Sequence, residues 1–188
     1  MKKLILITLM ALAPFSAFAQ VTPAKVAELT AHRIDRLVTL GKIDATFNTR
    51  LEKVEVTVAG PAPVAYRSLV SQTQPTTGTP IQLEILFDAA AKPLSFKLIP
   101  GGVAGPDPKW TGANAVSLFE NSLHEVLENA KDIQIAPFYT GLTTVTLSQV
   151  SANGMNMAQS HITSADTTKK MNVYLMLDGS FMSTEIIP

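Results

Sequence analysis

The chain has 188 residues, 46% of them hydrophobic and 16% charged, a balance that can bury a core and excludes intrinsic disorder. Lys plus Arg and Asp plus Glu both number 15, so there is no cationic surplus to hold a nucleic-acid backbone. Cysteine is absent, which excludes disulfides, thiolate metal sites and cysteine catalysis.

At the N-terminus, Met1-Lys2-Lys3 is a short basic start and Leu4 to Ala13 an apolar run of ten. Ala17-Phe18-Ala19 then supplies the small-x-small pattern before a cleavage point at Gln20. Residues 1–19 read as a secretory signal peptide. Ten residues rise only about 15 Å as a helix, half the thickness of a bilayer core, so the run is too short for an anchor. The expectation is an exported, soluble chain, periplasmic or secreted, with no membrane insertion after cleavage. Loss of Lys2 and Lys3 leaves 13 basic against 15 acidic residues.

Thr22-Pro23 predicts a helix start, a capping hydroxyl followed by the one helical position where a missing N–H costs nothing. Ala27, Ala31, Ile34, Leu37 and Val38 recur at helical spacing, with Lys25, Glu28, Arg33, Asp35 and Arg36 facing elsewhere. Period-two segments follow at Leu51 to Val58, Val64 to Ser71, Ile81 to Phe87 and Leu94 to Ile99, the pattern of strands with one buried face. Residues 101–108, rich in Gly and Pro, read as a linker without regular structure. A second helix carries Val116, Phe119, Leu123, Val126 and Leu127 on one stripe, opened by Thr111 or Asn114. Four more alternating segments follow: Leu142 to Val150, Met155 to Thr163, Met171 to Leu177 and Phe181 to Ile187. Asp178-Gly179 reads as a two-residue hairpin turn.

The same order twice suggests an internal repeat. Phe47 to Val56 aligns with Phe138 to Leu147 at an offset of 91, with four identities in ten. Ile81 to Asp88 aligns with Met171 to Asp178, and Ser95 to Pro100 with Ser183 to Pro188. The expected fold is α+β: two tandem α-β4 units, 20–100 and 109–188, each a helix packed on a four-stranded antiparallel sheet.

Chemistry-bearing groups are sparse. His124-Glu125-Val126-Leu127-Glu128 begins like a zinc-protease helix but lacks the second His, and His32 with Asp35 has no G-x-S-x-G nucleophile beside it. Met155 and Met157 share a strand face within about 7 Å and are the weak candidates for a soft metal, with core packing the plainer role. His161 lies about 13 Å further along that strand and cannot join them. No P-loop or G-x-G-x-x-G occurs, and neither a catalytic group nor a cofactor is expected. Trp110 reads as a packing residue, and Thr143, Thr144, Thr146, Ser160 and Thr163 as a solvated sheet face or an edge open to strand addition.

The first hairpin of each half carries Thr57-Val58-Ala59-Gly60 and Gln149-Val150-Ser151-Ala152-Asn153-Gly154. With the element order, these loops resemble the cystatin fold, in which a Q-V-V-A-G hairpin wedges into a partner's cleft. Val56 stands where that Gln would be, the second half has one extra residue before Gly154, and the family's Pro-Trp loop is matched only by Pro93-Leu94. The sequence is equally similar to exported PepSY-like and β-lactamase-inhibitor-like modules. The resemblance implies an unidentified protein partner met through Val58, Ala59, Gly60, Gln149, Val150, Ala152 and Gly154, with enzyme inhibition as one form of action. The alternative is a carrier holding a small ligand in a void lined by Phe47, Phe87 and Phe96; an enzyme would need His32 or His124 to meet a carboxylate in a cleft.

Overall fold

The computed structural model describes residues 21–59, 62–74, 80–101, 103–104, 110 and 114–188. The expected signal peptide, Gly60, Thr111 and most of the 101–108 segment lie outside these residues. The elements run α1 (Pro23–Thr39), α2 (Thr46–Thr49), β1 (Leu51–Val58), β2 (Tyr66–Gln74), β3 (Ile81–Phe87), β4 (Pro93–Pro100) and β5 (Val103–Ala104). They continue with α3 (Ala115–Glu128), α4 (Ala136–Gly141), β6 (Leu142–Ala152), β7 (Met155–Ser164), β8 (Lys170–Met176) and β9 (Phe181–Ile187).

Both long helices form where their caps and apolar stripes place them. The Thr22 hydroxyl accepts from Lys25 N and the Asn114 side chain accepts from Ser117 N, so each first turn has a partner for one orphan N–H. Ala27, Ala31, Ile34 and Leu37 on α1, and Val116, Phe119, Leu123 and Val126 on α3, are all buried. No helix among the described residues is long and apolar enough to cross a membrane.

The eight long strands form one antiparallel sheet in the order β4-β3-β2-β1-β6-β7-β8-β9. The two halves join edge to edge through β1 and β6, with Lys53 opposite Thr146, Val54 opposite Val145 and Glu55 opposite Thr144. Val54 and Val145 are the positions equated by the sequence alignment at offset 91, so the junction is centred on that pair. Residues of both halves share one hydrophobic core, and α1 packs on both α3 and α4 as well as on β1 and β2. Trp110, partly buried, packs against that core.

Three expectations need correction. Residues 101–108 are not wholly without regular structure: Val103–Ala104 pairs in parallel with Thr73–Gln74, because the chain turns at Gly101 (φ 137) whose N–H donates to Pro80 O at 2.8 Å. Ser160 is not on the solvated face; it points under the helices, fully buried, with its hydroxyl unpartnered. Asp178-Gly179 is not a two-residue turn, because only Gly179 (φ 90) has a positive φ and Met176 N donates to Ser180 O at 2.8 Å across Leu177, Asp178 and Gly179. That is the three-residue hairpin with a glycine bulge. The two-residue turn with both residues at positive φ is Asn153-Gly154 (φ 52 and 77).

Candidate functional site

Because β1 and β6 are antiparallel, the first hairpins of the two halves leave the sheet in opposite directions. Val58 lies four residues from the Val54–Val145 row on one side and Ala152 seven residues on the other. Their separation along the strands is roughly 36 Å. The candidate residues therefore fall into two clusters. Val58 and Ala59 are at one end and Gln149, Val150, Ala152 and Gly154 at the other.

The end bearing Val58 gathers three segments. Val58 is 67% exposed, Ala59 N donates to Ala65 O (2.8 Å), and Ala65 N donates to Phe87 O (2.8 Å), which ties the β1–β2 connection to the start of the β3–β4 turn. Tyr66 donates its hydroxyl to Val21 O, fixing the entry to α1 beside them. An open groove of about 300 Å³ lies there, lined by Val21, Thr22, Pro23, Val58, Tyr66 and Thr140.

At the opposite end the β6–β7 hairpin projects. Six consecutive residues, Ser151 to Asn156, are exposed, and β8 joins β7 only from Met157 onward. Met155 is 44% exposed at the tip, while Met157 is nearly buried beside Val150 and Met176 on the sheet face opposite the helices. The two Met are thus split between an exposed and a packed role. The adjacent His161 is engaged elsewhere, its Nδ1 lying 2.8 Å from Asn172 Oδ1.

The face away from the helices is polar. Tyr174 accepts from Asn172 Nδ2 (3.3 Å) and donates to Glu185 (3.0 Å); burial, then this bond to the carboxylate, push its phenol above the ordinary value. In the first half Glu84 accepts from Arg67 Nε (2.5 Å) and pairs with Lys97 Nζ (2.9 Å). Burial pushes the Glu84 carboxyl up, but the two cations outweigh it and the net shift is downward. A depressed carboxyl contributes stability that is present above its unfolded value and is lost as pH falls through its folded value. Glu84→Gln is expected to cost about 1–2 kcal/mol at pH 7, with the difference from wild type shrinking in urea melts as pH falls below the ordinary carboxylate range. A constant difference across pH would contradict the ion-pair account.

A third feature sits between the long helices. An open groove of about 250 Å³ is lined by Glu28, His32, Glu120, Asn121, His124 and Leu127. His32 Nδ1 is 3.3 Å from Glu120 Oε1, and His124 Nε2 is 3.1 Å from Glu128 Oε2. Burial raises the Glu120 carboxyl above its usual range, with His32 opposing and Asp35 and Glu28 reinforcing the shift. The imidazoles thus meet carboxylates, as an enzyme would need. They do so 61% and 62% exposed, and no hydroxyl lines the groove. Of the walls suggested for a carrier's void, Phe47 lines an open groove of about 280 Å³ with Ile81 and Leu98, Phe87 is fully buried, and Phe96 lies under Arg33, 5.9 Å from the ring centre.

Sequence reasoning passed over Asn153-Gly154 as a rigid turn, although Asn-Gly is the strongest short hairpin signal. It also passed over the shared register of Glu28-x3-His32 and Glu120-x3-His124 on the two helices, legible once both caps are fixed. Comparison with protein-family models, with curated proteins and with solved structures finds no significant match.

Proposed function

We propose that the protein is an exported binding module that engages another protein through its hairpin tips, with enzyme inhibition as one form of action. The observation that carries this reading is the β6–β7 hairpin. Six exposed residues project from the sheet behind a tight turn whose two residues both have positive φ. Such a tip is pre-organised, so little conformational entropy is lost when it enters a cleft. Met155 gives it an apolar, adaptable side chain to bury. The grouping of the β1–β2 tip, the β3–β4 turn and Val21 at the other end supports the cystatin-like likeness of the first half.

Duplication of an α-β4 unit is the accompanying proposal. It is supported by the repeated element order, by the pairing of Val54 with Val145, and by caps that set Glu and His at equal distances on the two long helices.

A pull-down from the exported fraction tests the binding reading. The wild-type chain is compared with a variant in which Ala152-Asn153-Gly154 is replaced by a longer flexible loop, and with Met155→Asp. Both variants are expected to lose the same captured protein by at least tenfold, whereas replacing Ala59-Gly60 removes only what is held at the opposite tip. An unchanged set of captured proteins in the first two variants would remove the hairpin reading.

A further inference from the structure

Counted from their caps, the two long helices carry the same pair of side chains. Glu28 and His32 are the sixth and tenth residues after Thr22; Glu120 and His124 are the sixth and tenth after Asn114. Residues four apart lie on one face of a helix, one turn above the other. α1 and α3 pack against each other, and all four side chains line the same groove. Two Glu-x3-His pairs therefore face one another across the helix pair.

One arm is already closed. His32 on α1 approaches Glu120 on α3 at 3.3 Å. The other arm is drawn aside by contacts within single helices, Glu28 by Lys25 and His124 by Glu128. Exposed pairs of that kind are each worth only a few tenths of a kcal/mol, which a bound cation displaces easily. Among the described residues no three His or acidic groups are yet gathered at metal-holding distance. Glu120 Oε1 is shielded from solvent and is met by His32 Nδ1 at 3.3 Å without forming a hydrogen bond, although the Glu120 side chain as a whole stays 27% exposed.

We propose that the groove between α1 and α3 binds one divalent transition-metal cation through His32, His124 and Glu120, with Glu28 completing the set. Two imidazoles with carboxylates favour zinc, nickel or copper over magnesium and calcium, which take oxygen ligands. Metal sites of this construction use side chains from facing helices, as this one does. The expectation that no metal binds rested on spacing within one helix, where His124 lacks a second His; the groove supplies it from the other helix. A cation held there would clamp the two halves of the chain together on the side away from the sheet.

Zinc titration of the purified full chain, followed by calorimetry and by thermal melts, tests the site. One zinc per chain is expected to bind with a micromolar or tighter dissociation constant and to raise the melting temperature, while 1 mM magnesium, which prefers oxygen ligands, does neither. His32→Gln and His124→Gln should each weaken zinc binding at least tenfold, and Glu120→Gln should do the same. Both His side chains are largely exposed, so the metal-free melts of those variants should overlay the wild type. Zinc affinity unchanged by His32→Gln would overturn the proposal, because the metal would then sit on one helix alone. So would zinc uptake seen only with dimer formation in sedimentation, which would place the ion between chains.

Discussion

Phe138→Ala lowers the unfolding free energy by about 3–5 kcal/mol, and Phe47→Ala by a similar amount, in urea titrations followed by circular dichroism. Both rings are essentially fully buried, at 0% and 1% exposure, and rank among the largest such side chains in the core. Each belongs to a short helix, α4 or α2, that leads into a strand at the centre of the sheet, four residues before Leu142 or Leu51. Truncation leaves a cavity that neighbouring strands held by hydrogen bonds cannot collapse to fill. A domain is stable by only about 5–15 kcal/mol, so the double variant is expected to be unfolded at room temperature. A cost below about 1 kcal/mol for either single change would mean that the ring is not packed as described.

The second large effect is expected at the junction of the halves. Val145→Pro removes a backbone N–H from β6, which is paired on both sides, opposite Val54 on β1 and Ile162 on β7. Proline is tolerated in sheets at edges and not in central strands, and the chain obeys this rule with Pro93 and Pro100 at the two ends of the edge strand β4. The loss is expected to reach on the order of 4 kcal/mol or more, enough to abolish the cooperative thermal transition. A Val145→Pro chain that melted within a few degrees of wild type would show that β1 and β6 are not joined as described.

The local physics of the sequence specified most of the elements. Leu51 to Val58, Ile81 to Phe87 and Phe181 to Ile187 form strands at the bounds their alternation predicts; the first two bury Leu51, Val54 and Val56, and Leu83, Ile85 and Phe87, in the core, whereas the edge strand β9 carries no buried side chain. The helices were legible for the same reason. What escaped depends on contacts between distant segments. Nothing periodic marks the four residues of α2 or the six of α4, which exist because Phe47 and Phe138 must turn inward before the central strands. The burial of Ser160 follows from the β7 register, Ser160 lying opposite Leu147 and Val173 on the covered face. Nor does strand alternation say that β1 and β6 are neighbours, because both halves present the same backbone edge to any partner.

The candidate site was legible in its residues and not in its placement. Val58 and Ala152 were correctly expected near hairpin tips, but only the sense of the β1–β6 pairing sends those tips apart. His32 and His124 looked like unrelated solvated groups until the packing of α1 on α3 set them across one groove.

The reversal of direction at the Val54–Val145 row carries a geometric consequence for assembly. Two large molecules docking on the opposed tips would approach from opposite sides, about 36 Å apart, and would not collide. A single copy could thus act as a rigid bridge whose span is set by strand length rather than by a flexible tether.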